Sequence, residues 1–269
     1  MATLSYHEQK DIENIKKLRE LQKELPSFCS DFFRGIETST STRTRIAYAY
    51  DLKIFFQFLK TANPGTFDNP SHTLTPSDLE KLTVTDLEEY IDYLKCHPSD
   101  TNEDVINTER GLMRKVSSLR SFYSYFFRNE RIEKNPAALV RMPKLHEKEI
   151  IRLEIDEVAK LLDEVEEGDK LTEKQKLYHE RTKVRDLAMM SLLLGTGIRV
   201  SECVGLNIND IDLDTCGARV YRKGGKESVI YFSDEVRDVL EDYLDEREMI
   251  DAVPGNEDAL FLSMQRKRI

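Results

Sequence analysis

Between about Glu103 and Arg128 a single helix-length segment carries two faces of opposite character. Projected at about 100° per residue, Leu112, Val116, Leu119, Tyr123, Phe126 and Phe127 fall on one side, and Arg110, Arg114, Ser117, Ser121, Ser124 and Arg128 fall on the other. A helix of this kind gains its stability by burying the apolar stripe, so neighbours with matching stripes must exist. The preceding sequence supplies them. In STSTRTRIAYAYDLKIFFQFLK, residues Tyr48, Leu52, Phe55, Phe56 and Leu59 share a face behind Ser/Thr capping candidates, and VTDLEEYIDYLK repeats the pattern with Leu87, Ile91 and Leu94. A polar helix over about His7 to Glu24 opens the chain, and Pro64, Gly65, Pro70 and Pro76 punctuate the loop from Asn63 to Pro76. The first half is therefore read as a helical domain.

Near Asn135-Pro136 the character changes. The residues before Pro136 and Pro143 are pushed away from helical angles, so VRMPKLHEKEI reads as an extended linker and the domain boundary falls there. Beyond it come an amphipathic helix (Glu154 to Val165) and RDLAMMSLLLGTG, whose apolar residues surround most of its circumference and place it at the centre of a second core. GARVYRKGGKESVIYF then offers two β-rich runs around Lys223-Gly224-Gly225-Lys226, where Gly-Gly suits a tight hairpin turn. An acidic helix from about Asp234 to Met249 and a short strand, ALFL, complete the pattern. The fold class is mainly α, with a small antiparallel β-sheet in an α+β second half.

A net charge of −10 over 269 residues argues against a nucleic-acid partner only if the charge is evenly spread. It is not. Residues 233–258 sum to −9, whereas residues 101–145 sum to +4, which leaves room for a basic face. The longest apolar run, Leu187 to Leu194 broken by Ser191, is far short of the roughly 18 residues of a membrane span. MATLSYHEQKDIENIKK has no apolar signal core, so the expectation is a cytoplasmic chain with no membrane partner. Cys29, Cys96, Cys203 and Cys216 form no C-x-x-C pair, which argues against zinc and against a disulfide framework.

GTGIRVSECVGL lacks the third glycine and the preceding strand of a dinucleotide fingerprint, and no G-x-x-x-x-G-K-[ST] occurs anywhere. What stands out instead is Arg199 at the start of a short helix, with Glu202 one turn on. The bland reading is an i, i+3 surface pair worth little. The alternative rests on position: beside the most apolar helix of the chain a guanidinium calls for a partner or an anionic ligand. Lys223, taken by itself, reads as a solvated turn residue.

These segments resemble the tyrosine recombinases, the phage-integrase-type site-specific recombinases, and among them the bacterial Xer-like members. The resemblance runs from about Ser41 to the last residue, through AYAYDLKIFFQFL, VSSLRSFYSYFFRNERIEKNPAALVRMPKL, RDLAMMSLLLGTGIRVSECVGLNINDIDL and VYRKGGKESVIYF, in the family's order and spacing. It implies an N-terminal helical, SAM-like core-binding domain followed by an α+β catalytic domain. The corresponding division is an extension over 1–40, the core-binding domain over 41–140, a linker over 141–150, and a catalytic domain over 151–269 whose C-terminal part is missing. G-x-R-x-S-E maps the family's catalytic arginine onto Arg199, with Glu202 supporting it, and K-G-x-K maps its catalytic lysine onto Lys223. The implied chemistry needs neither metal nor cofactor. The implied partner is double-stranded DNA, bound by a homo-tetramer when the protein is full length. Since the family's helical domain clamps the duplex with two helices, Arg110, Arg114, Ser117 and Ser121 become the leading DNA contacts, with Thr44, Arg45, Lys115 and Arg120 beside them.

The family continues into H-x-x-R, a second His or Trp, and a nucleophilic Tyr. None of His7, His72, His97, His146 and His179 is followed by Arg three residues later, and after Arg199 only Tyr221, Tyr231 and Tyr243 remain, in hairpin strands or inside the acidic helix. The expectation is a recombinase truncated at its C-terminus that binds DNA and does not cleave it. Two other readings stay open. One is a noncatalytic DNA-binding relative that modulates a full-length recombinase; the other is a protein-interaction module built on the acidic stretch.

Overall fold

Nearly every long helix of the first half begins where a side-chain oxygen can take up a free backbone N–H. The computed structural model describes residues 5–98, 103–146, 149, 151–222 and 226–269, and the chain divides into two compact units, 1–149 and 150–269. In the first unit α1 (Tyr6–Lys23) starts at Ser5, whose hydroxyl accepts from the Glu8 N–H while the Glu8 carboxylate accepts from the Ser5 N–H. After α2 (Cys29–Gly35) comes α3 (Thr42–Ala62), capped by Ser41. Two single turns, α4 (Pro64–Phe67) and α5 (Pro76–Leu79), each open on proline. Thr83 and Asp86 cap α6 (Val84–Lys95) reciprocally, and it runs over the stretch its sequence pattern marks. β1 (Cys96–Pro98) and β2 (Asp104–Ile106) pair antiparallel, Cys96 opposite Ile106. That pairing delays α7 (Glu109–Arg128) by a turn and a half relative to the expected start.

Packing corrects the reading of α7. Its buried set is Lys115, Val116, Ser118, Leu119, Phe122, Tyr123 and Phe126, whereas Phe127 is 46% exposed. The apolar face is wider than one stripe because α7 packs on more than one side, against α2, α3 and α6. Sequence periodicity did not register α2, and its presence turns Phe122 inward. Phe122 then becomes a hub. Its ring lies 5.2 Å from Phe32, 5.1 Å from Phe126 and 6.2 Å from Phe56, all edge to face, the geometry that the aromatic quadrupole favours. Gly35 lies directly under the Tyr125 ring, where any Cβ would overlap it. The first 40 residues, read as an extension, place Leu18, Leu21, Leu25, Phe28, Phe32, Phe33 and Ile36 in the same core as α3, α6 and α7.

In the second unit α8 (Ile155–Glu167) ends at Gly168 in the left-handed region, φ +67°. α9 (Glu173–His179) is tied back by a hydrogen bond between His179 Nε2 and the Val165 carbonyl oxygen at 2.8 Å. α10 (Lys183–Thr196) packs on α8, on α11 (Val200–Gly205) and on α12 (Asp234–Glu248). It is less enclosed than its composition suggests: Ala188, Ser191 and Leu192 are buried, and Leu194 is 38% exposed. β3 (Ile211–Asp212), β4 (Gly217–Arg222) and β5 (Lys226–Tyr231) form an antiparallel sheet in that order. ALFL makes no strand. Ala259 and Leu262 each contribute one isolated bridge, to Asn207 and Arg268, and the segment is buried through side chains, with Phe261 stacked on Tyr243 at 5.3 Å. No helix among the described residues is long and apolar enough to cross a membrane.

Phe122→Ala should cost about 3–5 kcal/mol in denaturant unfolding of the first unit, and Phe127→Ala should stay within about 0.5 kcal/mol. Equal losses at the two positions would show that the aromatic core is not centred on Phe122.

Candidate functional site

The junction of α10 and α11 is built to present one guanidinium. Gly197, at φ +66°, ends α10 with its N–H on the Leu193 carbonyl at 2.9 Å, a left-handed turn that favours glycine. Ile198 turns inward, 7% exposed, and Arg199 takes the N-cap position of α11. Glu202 reaches back to it: Oε2 accepts from the Arg199 N–H at 2.9 Å and Oε1 from Arg199 Nη1 at 2.6 Å. The carboxylate is 7% exposed and the arginine side chain 71%. Burial alone would raise the Glu202 pKa. The two bonds from Arg199, together with the positive charges of Arg199 and Arg222, outweigh it and hold the group below the usual glutamate range. The pair expected at i, i+3 is therefore present, and it is asymmetric: a withdrawn anion beneath an outward cation.

Arg222 was not among the sequence candidates, although its signal was available. Ala218 and Val220 are buried on the side of β4 that packs on α11, and a period of two carries that face on to Arg222. The last pair of the β4–β5 ladder is Arg222 opposite Lys226. Lys223, and the Gly-Gly turn expected there, lie outside the described residues. Arg268 was also missed. It donates from Nη1 to the carbonyls of Val204 at 3.1 Å and Leu206 at 2.6 Å, and from Nη2 to Asn207 Oδ1 at 2.5 Å. It thus satisfies carbonyls at the C-terminal end of α11, where the helix dipole also favours a cation. Of the late tyrosines, Tyr243 is 1% exposed with its hydroxyl donating to the Leu260 carbonyl at 3.0 Å, while Tyr221 and Tyr231 lie on the sheet, 36% and 70% exposed.

In the first unit the eight DNA-contact candidates separate into an open row and a structural set. Arg110, Arg114, Ser117 and Ser121 follow one another at intervals of four, three and four residues along α7, which puts them on one face. Arg110 is exposed, with no ion pair among the described residues. Ser117 is exposed and its hydroxyl bonds back to the Met113 carbonyl at 2.8 Å, Ser121 is half-buried, and the Thr44 hydroxyl hydrogen-bonds with that of Ser41 at 2.9 Å. Three candidates belong elsewhere. Arg45 is 7% exposed, with Nη1 on Glu37 at 2.7 Å. Lys115 is 8% exposed, and its Nζ donates to Asn107 Oδ1 at 2.7 Å. Arg120 donates to the carbonyls of Ala137 and Ala138, which form a single 3₁₀ turn with Pro136. Each was a candidate by its place beside the contact row, and each spends donors on acceptors inside the unit.

Asp51 also escaped notice in the sequence. It is the only acid of α3, set among the apolar residues of the buried face and itself 2% exposed. Its Oδ2 accepts from Arg114 Nη1 at 2.5 Å, and burial pushes its carboxyl up to about 6 against the opposing pull of Arg114 and Lys115.

Residues 151–269 match the phage integrase family. The chain is 35% identical over 253 residues to the tyrosine recombinase XerC of Caldanaerobacter subterraneus, with 91% of this chain and 65% of that protein covered. It is 30% identical to the tyrosine recombinase XerS of Streptococcus uberis, with 94% and 76% covered. It therefore spans about two thirds of the length of the first of these curated relatives and about three quarters of the second. In fold it is similar to a lambda integrase, solved as a tetramer bound to a Holliday junction, at TM-score 0.55 and 17% identity, with 90% of this chain and 60% of that one covered.

Because the Glu202 pKa is lowered by folding, its contribution to stability is present above the ordinary glutamate range and is lost as pH falls below it. The stability difference between the wild type and Glu202→Gln should therefore be full above about pH 5 and shrink towards about pH 3 in urea unfolding. A difference that does not change with pH would mean that the carboxylate charge is not what holds Arg199.

Proposed function

The chain belongs to the tyrosine recombinase family, and on that premise we propose that it is an Xer-like, site-specific recombinase that acts on double-stranded DNA. The observation that carries the reading is the exposed Arg199 guanidinium held by the buried Glu202 carboxylate. When a tyrosine hydroxyl attacks a scissile phosphodiester, a P–O bond to the tyrosine forms and the bond to the 5′-oxygen breaks. Negative charge grows on the nonbridging oxygens, and a guanidinium already in place stabilises it without a metal. The departing 5′-oxygen takes a proton, and the family resemblance makes Lys223 its donor. The phosphodiester energy is kept in the 3′-phosphotyrosyl link, so rejoining needs no cofactor. Removing a donor such as Arg199 typically costs about 10²- to 10³-fold in rate.

The open row of α7, with Thr44 on α3, is the proposed duplex contact. Its short serines let the DNA backbone come close, and its arginines reach phosphates. Four such protomers on two duplexes, as the lambda integrase tetramer suggests, would make up the strand-exchange assembly of the full-length protein, in the cytoplasm. The reading for these 269 residues is binding without cleavage, since they contain no H-x-x-R and none of their late tyrosines sits as a nucleophile should. A noncatalytic DNA-binding modulator is the second reading that this observation favours.

Two measurements test these proposals. Incubation with duplex DNA followed by denaturing electrophoresis should show no covalent protein–DNA adduct, and an adduct would overturn the binding-only reading. In salt titrations each lost phosphate contact removes about 0.9 from the slope of log K against log salt, so replacing Arg110 and Arg114 by Glu should flatten it by nearly two contacts. An unchanged slope would place the duplex on another face.

A further inference from the structure

The pairing of Asp51 with Arg114 joins a buried carboxylate to an exposed guanidinium. We infer that Asp51 is a positioning residue for DNA binding: it fastens one edge of the Arg114 guanidinium so that the other edge is already aimed at a backbone phosphate. This rests on the duplex contact proposed above and assigns a role to a residue that cannot itself touch DNA.

Arg114 Nη1 is occupied twice, by Asp51 Oδ2 at 2.5 Å and by the Ala47 carbonyl at 3.4 Å. Both acceptors belong to α3, so the guanidinium bridges from α7 to its neighbour. The Arg114 side chain is nevertheless 45% exposed, and no partner for its Nε or Nη2 is found among the described residues. Those donors lie in the fork that matches a phosphate. Asp51 is an unfavourable residue to bury for stability alone, because its second oxygen, Oδ1, is enclosed without a hydrogen-bond partner. The charged and titratable groups that face it are Arg114 and Lys115 from α7 and Tyr90 from α6. Lys115 is committed to Asn107, so Arg114 is the only one of these cations that also reaches the open row. A long arginine fixed before encounter loses less freedom on binding, which is how such a clamp would raise affinity.

Charge and position predict opposite signs, and this makes the test decisive. Asp51→Asn removes a negative charge, so bulk electrostatics alone would tighten DNA binding; loss of the clamp weakens it. The full 269-residue chain is titrated with mixed-sequence duplex DNA at several salt concentrations. Asp51→Asn is expected to weaken binding about threefold to tenfold, the equivalent of one flexible side chain left to be ordered, and to lower the salt slope by up to about 0.9. Arg114→Ala should lower both, and the double variant should be no weaker than Arg114→Ala. Binding by Asp51→Asn as tight as the wild type, or additive losses in the double variant, overturns the inference. Should Asp51→Asn fail to fold, a pH series on the wild type replaces it. Protonation of Asp51 as pH falls through about 6 should weaken binding where net charge would strengthen it, and Arg114→Ala should lack that step; its absence from the wild type overturns the clamp. A wild type that does not bind duplex DNA at low salt overturns the proposed function and the clamp together. A wild type that binds, with Arg114→Ala weakened and Asp51→Asn unaffected, overturns the clamp alone.

Discussion

A cation that is to meet a phosphate must be open to solvent, yet an arginine open to solvent is ordinarily a mobile one. The buried carboxylate beneath an exposed guanidinium resolves that conflict, and much of the described structure serves to keep such a carboxylate in place. Glu202 is withdrawn under Arg199 by the turn at Gly197 and by the inward Ile198. Low local polarity strengthens the ion pair, and the backbone bond from Arg199 fixes its direction. In the other unit Asp51 stands in the same relation to Arg114, although the two elements that meet there are α3 and α7 rather than successive turns of one helix.

Around each pair the supporting layer differs. α11 is short, and a short helix needs its ends satisfied; Arg268 does this at one end and Glu202 at the other. α7 is long and draws its rigidity from burial on more than one side, with Phe122 between α2 and α3 and with Tyr123, whose hydroxyl donates to the Leu79 carbonyl at 3.3 Å. The outer row of α7 can therefore remain polar without cost to the helix.

How much of this was legible in the letters depended on whether the deciding contact was local. Thr83 to Lys95 could be read because its cap and its stripe lie within a dozen residues. Arg199 and Glu202 were legible for the same reason, being one turn apart. α2 was not, because FCSDFFRG is too short for a helical period to be distinguished from a cluster of aromatics, and with α2 unseen Phe122 had no partner to face. The roles of Arg45, Lys115 and Arg120 depend on acceptors at Glu37, Asn107 and Ala137, up to 17 positions away, which no periodicity specifies. Asp51 did carry a signal, as the lone acid among apolar neighbours, but naming its partner Arg114 required a contact across 63 positions.

The ring cluster also sets an order of events during synthesis. Phe28, Phe32 and Phe56 leave the ribosome well before Phe122 and Phe126, with which they close. Until α7 is made, the earlier phenylalanines have no complete site to occupy, so the nascent first unit passes through a stage with unpaired apolar surface whose closure must bridge tens of residues. Translation speed and chaperone supply should therefore govern the yield of this unit more than that of the sheet in the second unit, where β4 pairs with β5, its near neighbour in sequence.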